Sequence, residues 1–220
     1  MPELPEVETI VRDIRPSLLG RRFGRVALSH DDILRGVSRR RLLQQLCGSL
    51  VSDVFRRAKH AVIDVGTHRL VVQPGMTGSL VVYDRPLPPD ELPYAVLRAE
   101  LDDGRELVYE DVRRLGTLLL LNRRGWEAYT TSLGPEPLDP AFTPEVLGSA
   151  LARSRQAIKK VIMDQRYLAG VGNIYANEAL FASGIDPSKP ANRLTPDDHR
   201  RLHAEIRRKF DEIVAFAEVE

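Results

Sequence analysis

The chain has one cysteine, Cys47, in 220 residues. A single thiol excludes an internal disulfide framework and a cysteine-rich metal site. No stretch reaches the roughly 18 consecutive apolar residues that a membrane-spanning helix needs. The opening Met1-Pro2-Glu3-Leu4-Pro5-Glu6 has neither a basic region nor an apolar one, so it is not a secretory signal. A cytoplasmic location is the expectation. There is also no surplus of one charge: 32 Lys and Arg face 31 Asp and Glu, a net +1, and this sum by itself points to no nucleic-acid partner. Internal repeats and low-complexity tracts are absent. With 43% apolar and 29% charged residues, the composition is that of a globular protein, long enough for one large domain or two small ones.

The distribution of charge says more than its sum. Arg39, Arg40 and Arg41 are consecutive, and Arg56, Arg57, Lys59 and His60 are clustered. Arg113 and Arg114 are paired, as are Arg123 and Arg124. Arg153, Arg155, Lys159, Lys160 and Arg166 are read as one helical stretch containing a single acid, Asp164. Arg200, Arg201, Arg207, Arg208 and Lys209 follow. Each cluster has two readings, a solvated face or a phosphate-binding face.

Residues 5–18 carry a helical period, with Val7, Ile10, Val11, Ile14 and Leu18 on one face, Pro5 in the first turn, and Pro16 and Gly20 closing the helix. From Phe23 to Leu121 the pattern changes to short apolar runs: residues 61–65, 70–72, 79–83, 106–109 and 117–121. Asp102-Asp103-Gly104 signals a hairpin, and Arg39–Leu46 reads as a short helix. Repeated short strands imply an antiparallel sandwich or barrel. Ser132 to Pro140 holds three prolines and a glycine, a composition that forbids regular structure. Beyond it the chain is helical, with one helix from Pro144, one over Ile174–Ser183 and one opened by Thr195-Pro196-Asp197-Asp198. Leu202, Ile206, Phe210, Ile213 and Val214 make the apolar face of the last. The expected fold class is α+β: residues 1–131 as an N-terminal antiparallel β-sandwich with an N-terminal helix, 132–144 as linker, and 145–220 as a helical domain.

Pro2 is the position richest in chemistry. Removal of Met1 would leave a free secondary amine, partly unprotonated at neutral pH because an α-amino group has a pKa near 8. Its attack on a sugar C1′ gives an iminium that cannot lose a proton from nitrogen, so the fixed positive charge acidifies C2′–H and favours β-elimination of the 3′ phosphate. Glu3 is beside it to protonate the ring oxygen, and Glu6 lies one helical turn away to share a proton or a water. The plain alternative is that Pro2 and Pro5 only start a helix. Gly170-Val171-Gly172-Asn173 has its own reading. Glycines admit close approach, and a helix beginning at Asn173 offers N–H groups to an anion, with Lys159 adding charge. A phosphometabolite could use the same nest.

The run Met1-Pro2-Glu3-Leu4-Pro5-Glu6-Val7-Glu8-Thr9 resembles the start of bacterial formamidopyrimidine-DNA glycosylases. The resemblance continues through Arg56-Arg57-Ala58-Lys59, Gly75-Met76-Thr77-Gly78-Ser79-Leu80, Asp111-Val112-Arg113-Arg114-Leu115-Gly116, Leu133-Gly134-Pro135-Glu136-Pro137-Leu138 and Gly170-Val171-Gly172-Asn173-Ile174-Tyr175-Ala176-Asn177-Glu178. It implies a bifunctional glycosylase and abasic-site lyase that removes oxidised purines from duplex DNA through a proline Schiff base and β,δ-elimination. It implies Pro2 as nucleophile, Glu3 as general acid with Glu6 assisting, and Lys59 on the phosphate and sugar beside the lesion. Met76, Arg113 and Leu115 would fill the gap left by a flipped nucleotide. Lys159, Gly172 and Asn173 would clamp phosphate in a helix–two-turn–helix, and Arg114 joins the clustered arginines on the DNA backbone. Damaged double-stranded DNA is the implied partner, with no membrane, no small-molecule cofactor and a monomeric protein near the nucleoid.

Departures from the family pattern are Gln73 for His, Val112 for Pro and Leu115 for Phe, the last a smaller wedge. The resemblance also implies a C-terminal four-cysteine zinc finger, which no residue here supplies, so the expectation is a fragment, with a zincless member as the alternative, and no metal is assigned. Two alternatives stay open. One is an endonuclease VIII-like glycosylase for pyrimidine lesions, against which Leu4 stands where those relatives have Gly. The other is a non-catalytic DNA-binding member.

Overall fold

The computed structural model describes the backbone of residues 2–216; the side chains of Ile213, Val214 and Phe216 lie outside the described residues. The chain forms two units. One comprises Pro2 with Glu6–Glu127, and the other Glu3–Pro5 with the chain from Ala128 onward.

In the first unit, α1 (Leu4–Leu18) begins the chain and continues from Glu6 with the expected period. Val7, Val11, Ile14 and Leu18 are buried. Pro16 does not stop the helix, which runs two residues past it. A proline near the C-terminal end forfeits only its own N–H bond. The stop is Gly20, at φ +76°, whose N–H turns to the Val51 carbonyl.

Two sheets follow. One has the order β1 (Phe23–Leu28), β7 (Ala95–Leu101), β8 (Glu106–Asp111), β6 (Gly78–Tyr83), antiparallel throughout. The other has the order β2 (Leu34–Arg35), β9 (Thr117–Asn122), β5 (His68–Gln73), β4 (His60–Asp64), β3 (Asp53–Arg57). Only β2 runs parallel to its neighbour, β9. The strands read at 61–65, 70–72, 79–83, 106–109 and 117–121 correspond to β4, β5, β6, β8 and β9. The 102–104 hairpin is present, with Gly104 at φ +90°. The helix expected at Arg39–Leu46 is α2, capped by Ser38. The core joins Leu42 and Leu46 of α2 to Val54, Ile63 and Leu118 of one sheet and Phe23, Leu97 and Tyr109 of the other. Removing apolar surface from water on both inner faces is what holds such a sandwich together.

After β9 comes α3 (Arg123–Thr131), which has no buried residue. Residues 132–143 form no helix or strand. In the second unit, Thr143 caps α4 (Pro144–Leu151) by accepting from the Val146 N–H. Then come α5 (Ile158–Met163), α6 (Asn173–Ala182) and α7 (Pro196–Phe216). Thr195 and Asp198 cap α7 reciprocally: the Asp198 N–H donates to Thr195 Oγ1 at 3.2 Å, and the Thr195 N–H to Asp198 Oδ2 at 2.9 Å. Leu202, Ile206 and Phe210 are buried; Ile213 and Val214, expected on the same face, lie outside the described side chains. The basic stretch from Arg153 to Arg166 is not one helix. Only Lys159 and Lys160 lie on α5, while Arg153, Arg155 and Arg166 are in loops. A turn begins at Asp164, whose carboxylate accepts from the Arg166 N–H at 3.0 Å.

Candidate functional site

Glu3 is 4% exposed and belongs to the helical unit. Its Oε2 accepts from the Gly172 N–H at 2.6 Å and from the Tyr175 N–H at 3.4 Å, and its Oε1 from the Ile174 N–H at 2.9 Å. The carboxylate therefore sits on the N-terminal turn of α6, where backbone donors lack helical partners and the helix dipole favours a negative group. Gly172, the residue before the helix, has no side-chain cap of its own; Glu3 provides one from the far end of the chain.

The next residue fixes the segment further. The Leu4 N–H donates to the Gly170 carbonyl at 3.0 Å. Its side chain is fully buried with Leu168, Val171, Tyr175 and Phe210. Gly170 is at φ +85°, and a Cβ there would come within 2.5 Å of Leu4 Cδ1. The loop is shaped by Gln165, a residue that sequence reasoning passed over. Its amide nitrogen donates to the Met163 and Val171 carbonyls, and its oxygen accepts from the Gly170 N–H. Gly134 donates to the Gln165 carbonyl at 2.8 Å, and any Cβ on it would collide with the Tyr167 backbone.

The anion nest expected at 170–173 is thus occupied from within. The amides of Gly172, Ile174 and Tyr175 are committed to Glu3, which removes them as donors to an outside phosphate. Asn173, on α6, is exposed, and Lys159, on α5, is half-buried.

In the sandwich unit, Lys59 is the second central residue of the two-residue β3–β4 hairpin, between the paired Arg57 and His60. The first is Ala58, buried and at φ +53°, a conformation that suits glycine better. Arg56 supports this turn: its guanidinium donates to the Ala58 carbonyl at 3.0 Å and to Glu8 Oε2 at 2.8 Å. Glu8 also takes Arg12 at 3.1 Å. Arg56 is therefore a structural partner of α1, and its neighbour Lys59 occupies the hairpin tip.

Met76, 61% exposed, is in the β5–β6 turn, and Leu115, 52% exposed, is in the β8–β9 turn with exposed Arg113. The Arg113 guanidinium reaches Met76 Sδ at 3.9 Å, so two of the three predicted gap-filling side chains touch. Arg114, at φ +48°, turns instead to Asp32 at 2.8 Å. Gln73, where the family has His, accepts from Thr117 at 3.3 Å across the β5–β9 pair. Glu6 is exposed and Pro2 half-buried.

Several arginine clusters are neutralised locally. Arg39 pairs with Asp31, Arg200 and Arg201 with Asp197, Arg208 with Glu205 and Glu212, and Lys209 with Glu178. Of the two readings open for each cluster, these ion pairs favour the solvated face at those positions. Among the described residues no group of three or more His, Cys, Asp or Glu could hold a metal ion. With Cys47 as the single cysteine, the chain lacks the four thiolates of the family's finger. Nor, among the described residues, is any helix long and apolar enough to cross a membrane.

A β-sandwich led by a helix, followed by a helical unit whose loop and α6 receive the N-terminal carboxylate, defines a fold shared with known proteins. Residues 1–118 match the formamidopyrimidine-DNA glycosylase N-terminal domain, and residues 133–218 match the H2TH domain of the same family. The chain belongs to the formamidopyrimidine-DNA glycosylase family. It is 38% identical over 218 residues to the Moorella thermoacetica enzyme of that name, covering 98% of this chain and 79% of the relative. It is 42% identical over 221 residues to the Xanthomonas campestris pv. campestris (strain B100) enzyme, covering 99% and 78%. Among solved structures, that of the Thermus thermophilus protein matches with a TM-score of 0.82 at 35% identity, over 98% of this chain and 77% of the other. The Lactococcus lactis enzyme, solved bound non-covalently to DNA containing an abasic site, matches with a TM-score of 0.87 at 26% identity, over 98% and 82%.

Proposed function

We propose that this protein is a base-excision repair enzyme that removes oxidised purines from duplex DNA and then cleaves the strand at the abasic site. The observation that carries this reading is the seating of Glu3 on three backbone N–H groups at the start of α6. It fixes the residue covalently next to Pro2, so the terminal amine has a defined anchor instead of a fraying end. In the proposed reaction, the Pro2 nitrogen, freed by loss of Met1, bonds to C1′ as the C1′–base bond breaks and the base leaves with a proton. The sugar ring opens, Glu3 delivering a proton to its oxygen with Glu6 assisting, and an iminium remains. Loss of the C2′ proton then expels the 3′ phosphate, and a second elimination releases the 5′ side. Lys59, at the hairpin tip, contacts phosphate and sugar beside the lesion. Met76, Arg113 and Leu115 enter the gap left by the flipped nucleotide, and Lys159 and Asn173 contact the backbone. Residues 132–144 serve as the linker between domains, and the working location is the bacterial cytoplasm at the nucleoid.

The test is excision and nicking of a duplex carrying one 8-oxoguanine or one formamidopyrimidine, with an oxidised-pyrimidine duplex alongside. The expectation is release of the purine lesions and nicked ends lacking the sugar. Preferential release of the pyrimidine lesion would replace this reading with an endonuclease VIII-like one. Binding without release would leave a DNA-binding member.

A further inference from the structure

The two turns that carry Met76, Arg113 and Leu115 leave neighbouring strands at the same end of the sandwich. β5 enters the first turn and β6 leaves it; β8 enters the second and β9 leaves it. Gly78 at the start of β6 pairs with Asp111 at the end of β8, and Gln73 at the end of β5 pairs with Thr117 at the start of β9. Asp111 is 1% exposed beneath both turns. Its Oδ1 accepts from Thr77 Oγ1 at 2.6 Å and from the Arg113 N–H at 3.3 Å. Its Oδ2 accepts from the Gly116 N–H at 2.8 Å and from the Tyr109 hydroxyl at 3.1 Å. The Arg113 N–H also donates to Thr77 Oγ1 at 3.1 Å.

These contacts use the full acceptor capacity of an ionised carboxylate and draw donors from both turns. Burial pushes the Asp111 carboxyl up, but the bonds from Thr77, Gly116, Tyr109 and Arg113 outweigh it and hold the group below its ordinary range. The packing is as strict as the hydrogen bonding. A Cβ on Gly75 would meet Asp111 Oδ2 and the Gly116 nitrogen, both at 2.6 Å. One on Gly116 would fall 1.9 Å from the Tyr109 hydroxyl, and one on Gly78 2.9 Å from it.

We propose that Asp111 is a positioning residue that locks the Met76 turn and the Arg113–Leu115 turn together, so that they enter DNA as one rigid wedge. The proposal rests on the reading of those three side chains as gap-fillers. A wedge must resist the duplex it separates, and two independently mobile turns would yield when neighbouring bases restack. The buried carboxylate couples them because it cannot release one turn without leaving its own charge under-satisfied.

The test uses Thr77→Val, Thr77→Ser and Asp111→Asn, with Met76→Ala as reference. Amide hydrogen exchange of the free protein reads the lock itself. Thr77→Val should raise exchange in residues 75–78 and 112–116 together by roughly tenfold, the scale of one hydrogen bond to a charged acceptor; Thr77→Ser should restore protection. Faster exchange confined to the mutated turn would overturn the proposal, whatever the DNA results. Asp111→Asn should exceed Thr77→Val, and if it fails to fold the threonine pair still decides. Stopped-flow fluorescence of a duplex with 2-aminopurine beside an 8-oxoguanine reads the wedge. Thr77→Val should slow the unstacking phase about tenfold on the same hydrogen-bond scale. Borohydride trapping on a single-stranded abasic oligonucleotide, which has no stack to open, should stay at the parent rate. Equal loss in both assays would mark a general defect and contradict positioning. If Met76→Ala leaves unstacking untouched, the gap-filling reading fails, and the exchange data still judge the lock.

Discussion

Glu3 Oε2 and the Gly172 N–H, 169 positions apart in sequence, meet at 2.6 Å inside the helical unit. The residue nearest the proposed nucleophile is thereby also the cap of α6, so chemistry and local stability share one carboxylate. Glu3→Gln keeps the shape but offers one acceptor oxygen in place of two. It should lower urea-unfolding stability by about 1 kcal/mol, the scale of a lost cap. It should lower base excision by about a hundredfold, the smaller end of general-acid effects. Cleavage of a pre-formed abasic site should fall far less. Parallel losses in the two activities would contradict a role for Glu3 in the excision step.

Gly170 and Gly20 separate backbone strain from contact. Both have positive φ, but a Cβ on Gly20 would have nothing within 4 Å, while one on Gly170 would meet Leu4. Gly20→Ala should cost about 1 kcal/mol in thermal unfolding from left-handed backbone alone. Gly170→Ala should cost more and also slow strand cleavage, because Leu4 and hence Pro2 must shift. Equal stability losses with unchanged cleavage would show that the Leu4 contact does not position the terminus.

Much of this architecture was legible. The α1 period named its buried face, the short apolar runs marked most strands, and Thr195-Pro196-Asp197-Asp198 announced α7. Strand β7 escaped because Arg98 and Glu100 interrupt its apolar run; Arg98 is paired within the sheet to buried Glu106. Helix α3 escaped because Gly125 weakens its propensity and it buries no apolar face. At the site, Pro2 was singled out by the chemistry of a terminal secondary amine together with the family motif, and Lys59 by the motif alone. Neither the cap that Glu3 makes nor the Asp111 knot could be read locally, since Gly172 lies 169 positions from Glu3 and Thr77 lies 34 from Asp111. For the arginine clusters two readings stayed open, and for Lys209 the deciding carboxylate, Glu178, lies 31 positions away.

Lys159 and Asn173 are proposed to hold phosphate without reading bases. Lys159→Ala should weaken binding to damaged and undamaged duplexes alike and lower the slope of log affinity against log salt by about one unit. Asn173→Ala should weaken both duplexes with little change in slope. Fluorescence anisotropy across a salt series is the measurement, and an effect restricted to damaged DNA would contradict the assignment.

Asp111 makes part of the stability pH-dependent. Its carboxyl is held below the ordinary range when folded, so the unfolded chain takes up the proton first as pH falls. The stabilisation is fully present above the unfolded value of about 4 and is lost as pH drops through the folded value. Urea unfolding of the parent and Asp111→Asn should therefore differ most above about pH 5 and converge in acid. A gap that widens on acidification would mean the carboxyl is not the stabilised form.

The most direct test is the identity of the residue that bonds to DNA. The processed protein is incubated with a duplex containing an abasic site, reduced with borohydride, digested, and the cross-linked peptide sequenced by mass spectrometry. Attack by the terminal amine places the deoxyribose remnant on Pro2 in a peptide lacking Met1, and Pro2→Gly should reduce the yield. A remnant on the Lys59 peptide, or efficient cross-linking by protein that retains Met1, would show that the N-terminal proline is not the nucleophile.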